Sequence, residues 1–319
     1  MKLAAIDIGS NSIKLVVVEA GDSLDGGDSF AVLASEREVV RLGQETLVNR
    51  HIGEAATRRA TECLKRFRAV AETHGAERIA AIATASVREA NNAEEFISAV
   101  EQETGLRVEV LSGIEEARLV GLAASQGCAE KTAASLNIDI GGGSTEISIF
   151  RDGEPLKLVS IKLGAVGLTD GFIRSDPPTP DELDALRTEI RSSLESAARD
   201  LLEQTWSHAT ATSGTAVTIG SSLNSATIAL SELKHLNAKL TSLTIAERRT
   251  IMHFAPQRAD IIVAGGLVLE ETMNALAIDS LRVCDWSLRE GVIIDRLREW
   301  KRSAESVASV AGEQIDGVR

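Results

Sequence analysis

The chain carries its own opening segment twice, and this repetition limits the folds open to it more than any other feature. Ala4 to Val18 reads AAIDIGSNSIKLVVV and Leu136 to Phe150 reads LNIDIGGGSTEISIF. A shift of 132 positions aligns Ile6 with Ile138, Asp7 with Asp139, Ile8 with Ile140, Gly9 with Gly141 and Ser12 with Ser144. Each copy is an apolar strand ending near an Asp, a Gly-rich turn and an alternating second strand, which is the pattern of a hairpin. A second echo, Ile82 to Ser86 against Thr210 to Gly214, falls at an offset of 128. A third pairs the short strand Val108 to Leu111, before Ser112-Gly113, with Ile261 to Ala264 before Gly265-Gly266, read likewise as a strand.

Between these landmarks Asn92 with Glu95, Thr179-Pro180 with Glu182, Thr244 with Glu247 and Ser287 with Glu290 place Glu three residues after an N-cap side chain, the capping-box spacing. Both halves then read as three strands, helix, strand, helix, strand, helix: an α/β mixed sheet with helices on its faces. At 319 residues the chain is long enough for two such domains. The Pro-rich stretch Asp176 to Pro180 reads as a loop that starts a helix inside the second half.

A net charge of −13 excludes broad binding to nucleic acid or to an anionic membrane, so an anionic substrate needs a local pocket. Aromatic residues are 3% of the chain and Tyr is absent, which removes the material for a base-stacking platform. No apolar run reaches the ~18 residues that span a bilayer, and Met1 to Ser10 pass into a strand without a cationic leader. Cys63, Cys128 and Cys284 are odd in number and scattered, which predicts buried, reduced thiols and a cytoplasmic setting. The five histidines show no paired metal-ligand spacing.

Five ordered blocks extend the repeat into a resemblance: AIDIGSNSIKL from Ala5, ATASVREAN from Ala83, SGIEEARL from Ser112, NIDIGGGSTE from Asn137 and TSGTAV from Thr212. The chain resembles the actin, heat-shock-protein and sugar-kinase superfamily, and within it the exopolyphosphatase and guanosine pentaphosphate phosphohydrolase (Ppx/GppA) family. The resemblance implies duplicated actin-like (ribonuclease H-like) domains, each a mixed five-stranded sheet with flanking helices, and a cleft between them. It implies a first domain of residues 1–120 plus the C-terminal helix at about 288–304, a second domain of 121–287, and a flexible tail at 305–319. A homodimer is usual for such a family.

Gly-rich turns let backbone amides converge on an anion, because no Cβ blocks the approach and positive φ is accessible. Gly9-Ser10-Asn11-Ser12 and Gly141-Gly142-Gly143-Ser144 are therefore read as two phosphate-binding hairpins facing each other across the cleft. Asp7 and Asp139 end apolar strands, where an unpaired carboxylate is costly, so a hard cation or a ring of donors is expected beside them. By resemblance Asp139 and Glu146 are metal-associated acids, with Asp7 a further one, and the metal is Mg²⁺ or alternatively Mn²⁺. Lys14, the counterpart of Glu146 in the first hairpin, and Arg88, which follows a strand, are read as phosphate contacts; a solvated lysine and a surface ion pair are the rival readings.

Ser112 as N-cap makes Glu115 the capping-box partner and leaves Glu116 free to point elsewhere. The second glutamate of the SG-x-EEARL block is, by resemblance, the one that activates water, so both arguments select Glu116 over Glu115, against a helix-dipole role for it. The expected activity is metal-dependent release of terminal orthophosphate from inorganic polyphosphate. Guanosine pentaphosphate is the alternative substrate, and longer family members with a C-terminal HD region make it the less favoured one, since no His-Asp pair occurs here. A kinase with a nucleoside pocket near Ala264-Gly265-Gly266 and a noncatalytic polyphosphate or nucleotide sensor are the remaining readings.

Overall fold

A computed structural model describes residues 1–21, 30–128 and 134–300. The expected tail at 305–319 and the last residues of the expected C-terminal helix lie outside the described residues. The first sheet runs in the order β3 (Phe30–Glu38), β2 (Ile13–Ala20), β1 (Lys2–Ile8), β4 (Arg78–Ala83), β5 (Val108–Val110). The second runs β10 (Thr227–Ala229), β11 (Ser280–Val283), β9 (His208–Thr212), β6 (Ser135–Ile140), β7 (Thr145–Arg151), β8 (Glu154–Ile161). In both, an antiparallel meander of three strands meets parallel neighbours at its first strand: β1 beside β4, and β6 beside β9. β1 and β6 are central and buried on both faces; β1 reads as an apolar run apart from Lys2 and Asp7, whereas β6 alternates Ser135, Asn137 and Asp139 with Leu136, Ile138 and Ile140. Edge strand β3 carries exposed Glu and Arg, which blunts it against stray pairing.

Helices α1 (Thr46–Asn49), α2 (Glu54–Thr73), α3 (Ala85–Arg88), α4 (Ala93–Thr104) and α5 (Gly113–Gly127) belong to the first half of the chain. Helices α6 (Ala165–Phe172), α7 (Pro180–Leu202), α8 (Ser213–Leu223), α9 (Leu230–Thr241), α10 (Ile245–Ile251), α11 (Ile262–Ala275) and α12 (288–300) follow in the second. Two helices cross between the sheets. α5 leaves the first sheet and packs on β7 and β8, and the expected domain boundary near residue 120 falls inside it. α12 leaves the second sheet and buries Leu288, Val292, Ile293 and Leu297 against Leu3, Ala5, Val16 and Val18 of the first. Leu119 and Val120 of α5 join this same cluster, so the exchanged helices touch each other between the sheets.

The duplication holds, with three corrections. The second sheet has six strands where five were expected, because β10 adds an antiparallel edge to β11. The expected strand at Ile261–Ala264 is the start of helix α11, buried almost all round; a short apolar run does not distinguish a core strand from a buried helix. The counterpart of β5 is instead β11, which pairs parallel with β9 as β5 does with β4. The strand echo has an offset of 130, since Asp7 lies opposite Ile82 and Asp139 opposite Thr212; the two-residue slip from 128 preserves which face each side chain takes.

Capping boxes close at Thr179–Glu182 and Thr244–Glu247. Asn92 does not cap α4: its side chain accepts from the Ile52 amide at 2.9 Å and donates to the Ile52 carbonyl at 3.0 Å. Ser112 accepts from the Glu115 amide at 3.1 Å, but the Glu115 carboxylate accepts from Arg118 at 2.6 and 2.9 Å rather than turning back to Ser112. The prediction of three reduced cysteines is corrected as well. Cys128 and Cys284 form a disulfide across 156 residues of sequence, with Cα atoms 5.9 Å apart, and Cys63 alone is free and buried. The end of α5 and the approach to α12 meet there, with Trp286 against Gly127. No described helix is long and apolar enough to cross a membrane.

Candidate active site

Because β1 and β6 are the central strands of their sheets, the turns that follow them meet at the middle of the molecule. Ser10 and Gly142 pack directly: a Cβ on Gly142 would stand 2.6 Å from the Ser10 Cβ, and one on Gly143 would stand 2.6 Å from the Ala85 Cβ. Neither hairpin uses a positive φ, so the expectation of left-handed glycines gives way to one of close backbone approach. The cleft behind this contact is lined by Asp7, Gly9, Ser10, Asn11, Ser12 and Lys14 from the first half, and by Asp139, Gly141, Gly142, Gly143 and Ser144 from the second. Glu116, at the first turn of α5, closes it.

The acids are arranged in cross-strand pairs. Asp7 faces Lys14 in the β1–β2 register, and the Lys14 ammonium lies 3.2 Å from its carboxylate. Asp139 faces Glu146 at the matching register of β6 and β7. The Asp139 carboxylate accepts from the hydroxyls of Thr212 and Ser213, both at 2.7 Å. Glu146 accepts from the Ser160 hydroxyl at 2.8 Å through one oxygen, while its Oε2 is buried without a partner. Burial raises the carboxyls of Asp139 and Glu146 above the usual carboxylate range, and for Glu146 the nearby Glu116 and Asp139 add to the rise.

Glu116 is 8% exposed and accepts from the Arg88 guanidinium at 2.9 Å. Arg88 in turn donates to the Leu111 carbonyl at 3.0 Å, which fixes the guanidinium between α3 and the start of α5. Burial pushes the Glu116 carboxyl up to about 7, with Arg88 opposing and Asp139 and Asp7 adding to the shift. A base poised there is half ionised near neutral pH, the condition that suits proton abstraction from water. Arg88 is paired with Glu116 and Lys14 with Asp7, their side chains 19% and 17% exposed.

Two residues of the site were not singled out in the sequence. Ser213 begins α8 with φ at 66°, a strained conformation for a non-glycine residue, and spends it on the hydrogen bond to Asp139. Arg258 lines the cleft, is 6% exposed, and has a buried Nε without a partner. Burial, with Arg37 beside it, lowers the Arg258 guanidinium to about 9. Asp260 and Asp139 are its acidic neighbours, and the unpartnered Nε leaves this guanidinium free to receive an anion in the cleft. Its only sequence signal was the weak block Ala255 to Gly266. In that block a Cβ on Gly265 would meet Thr215 and Ala165, and one on Gly266 would meet Asn237, so both glycines allow close helix packing.

Among the described residues no three His, Cys, Asp or Glu side chains converge to hold a metal ion on their own. The in-register pair of Asp139 and Glu146, with one orphaned Glu146 oxygen, does fit a hard divalent cation that takes one or two carboxylates and completes its shell with water and phosphate.

The sequence profile of the Ppx/GppA phosphatase family matches residues 6–299. Exopolyphosphatase 1 of Mycobacterium leprae is 31% identical over 99% of this chain and 96% of its own length. A guanosine-5'-triphosphate,3'-diphosphate pyrophosphatase of Photobacterium profundum is 28% identical over 93% of this chain and 60% of its own length. The crystal structure of an exopolyphosphatase from Cytophaga hutchinsonii superposes with a TM-score of 0.85 at 26% identity, covering 94% of this chain and 98% of that one. A Ppx/GppA protein of Aquifex aeolicus superposes at 0.77 with the same identity and coverage.

Proposed function

Because the chain belongs to the Ppx/GppA phosphatase family, we propose that the cleft between its sheets releases terminal orthophosphate from inorganic polyphosphate by hydrolysis. The observation that carries this reading is the constellation around Glu116: a buried base held by Arg88, facing the Asp139–Glu146 pair, with Lys14 and Arg258 in the same cleft. Glu116 accepts a proton from water as the water oxygen bonds to the terminal phosphorus. The bridging P–O bond breaks opposite, its electron pair staying on the shortened chain, and no covalent intermediate is needed. Lys14, Arg88 and Arg258 offset charge on the phosphoryl and leaving oxygens, and the hairpin backbones of residues 9–12 and 141–144 position the chain. Asp139 and Glu146, with Asp7 beside them, would hold Mg²⁺ or Mn²⁺, which when bound supplies further charge neutralisation at the phosphate oxygens.

Guanosine pentaphosphate stands second, on the likeness to the Photobacterium profundum protein. A noncatalytic sensor has no use for a base at about 7 beside paired acids. We further propose a homodimer on the family resemblance; a cytoplasmic setting, expected from reduced thiols, loses that ground with the Cys128–Cys284 bond. Phosphate release from long-chain polyphosphate, guanosine pentaphosphate and ATP, measured side by side with and without Mg²⁺, tests the reading. Polyphosphate is expected to turn over fastest and only with the metal. Faster release from pentaphosphate moves the assignment to the nucleotide, and no release from any of the three overturns it.

A further inference from the structure

A second groove, of about 550 Å³, opens on the far side of the wall formed by Ala85, Gly143 and Ser144, which line both it and the catalytic cleft. Arg50, Arg88 and Lys162 line it, together with Ser112 and Gly113 at the start of α5. Its acids are Glu89 and Glu189. Glu89 is engaged by Lys162 and lies 3.8 Å from Arg88, and Glu189 accepts from Ser193 at 3.1 Å. The Arg50 Nε donates to the Glu89 carbonyl at 3.2 Å, leaving its terminal nitrogens for a ligand.

Glu116, Asp139 and Arg258 line one cleft. In-line displacement requires attacking water and departing chain on opposite sides of the phosphorus. With water at Glu116, the shortened chain leaves on the side away from Glu116, while the new orthophosphate, carrying the water oxygen, is left beside Glu116 and Arg88. Arg88 reaches Glu116 in the cleft and also lines the groove. We propose that the groove is an orthophosphate site through which the product departs while the remaining chain keeps its place in the cleft. The inference rests on the hydrolytic reading of Glu116.

Lys162→Ala and Arg50→Gln, singly and together, test it without touching the catalytic groups. Inhibition by added inorganic phosphate should weaken about two- to fivefold for each charge removed, the size of a partly exposed ion pair. KM for long-chain polyphosphate should stay unchanged, and Lys162→Arg should restore phosphate inhibition. A rise in KM with unaltered phosphate inhibition would make the groove part of the substrate path and overturn the proposal, as would variants indistinguishable from wild type. Calorimetric titration of inorganic phosphate alone into wild-type and double-variant protein, with no polyphosphate present, reads the site independently. Binding lost in the double variant supports it even if polyphosphate proves not to be the substrate, and equal binding refutes it.

Discussion

Glu115 and Glu116 are neighbours in one helical turn with unlike surroundings. Glu115 is spent on Arg118, whose guanidinium also bonds Asp295 of α12 at 3.0 Å, and Glu116 is buried in the cleft on Arg88. Glu116→Gln should lower kcat by about 10²–10⁴-fold, the usual contribution of a general base, with polyphosphate binding retained. Glu115→Gln should leave turnover near wild type and cost no more than about 1 kcal/mol, because the ion pair it weakens is partly exposed. Steady-state phosphate release from both variants distinguishes these roles; equal losses would refute the base assignment. Counting from the Ser112 N-cap, together with the resemblance, separated the two glutamates in the sequence. It did not reveal that Glu115 would turn to Arg118 within α5 rather than back to Ser112; the same guanidinium is held by Asp295 of α12. Arg258 and Ser213 were hidden for related reasons. An arginine in a short irregular segment carries no periodic signal, and a strained serine looks like any other until its φ is known.

At the scale of elements, the hairpins were legible because strand, turn and strand are contiguous in sequence and repeated. The exchange of α5 and α12 was less so, because each helix follows one sheet and packs on the other. Their crossing is close: a Cβ on Gly291 would lie 2.0 Å from the Leu119 carbonyl oxygen, a backbone atom unable to swing aside. Gly291→Ala should therefore destabilise the protein by about 1–3 kcal/mol, despite the higher helix propensity of alanine. Thermal or urea unfolding would check this, and an alanine variant as stable as wild type would show that α12 does not sit as described. The same crossing brings together Cys128 and Cys284, which no sequence spacing could reveal. Alkylation under denaturing, non-reducing conditions should label Cys63 alone, and three labels would show the pair to be reduced.

For the molecule as a whole, the cleft concentrates carboxylates that burial keeps reluctant to ionise. The Glu116 carboxyl is raised from about 4.5 in the unfolded chain to about 7 in the fold, so its contribution to stability is present in full below pH 4.5 and lost as the pH rises through about 7. Asp139 and Glu146 shift in the same direction. In metal-free buffer the melting temperature should fall as pH rises across this window. Glu116→Gln should flatten that fall and be at least as stable as wild type near pH 8. Parallel melting profiles for the two proteins would rule out Glu116 as a source of the pH dependence.

The exchanged helices also bear on how such a chain could have arisen and how it can be divided. A fragment ending at Cys128 would keep α5 without β7 and β8, the strands it covers, and would expose Leu3, Ala5, Val16 and Val18, which α12 covers. The remaining fragment would carry α12 without Leu3, Ala5, Val16 and Val18, the residues it covers on the first sheet. Whatever ancestral half was copied, the two present halves are no longer interchangeable modules: each completes its neighbour's interior, so they must be inherited, synthesised and degraded as one unit.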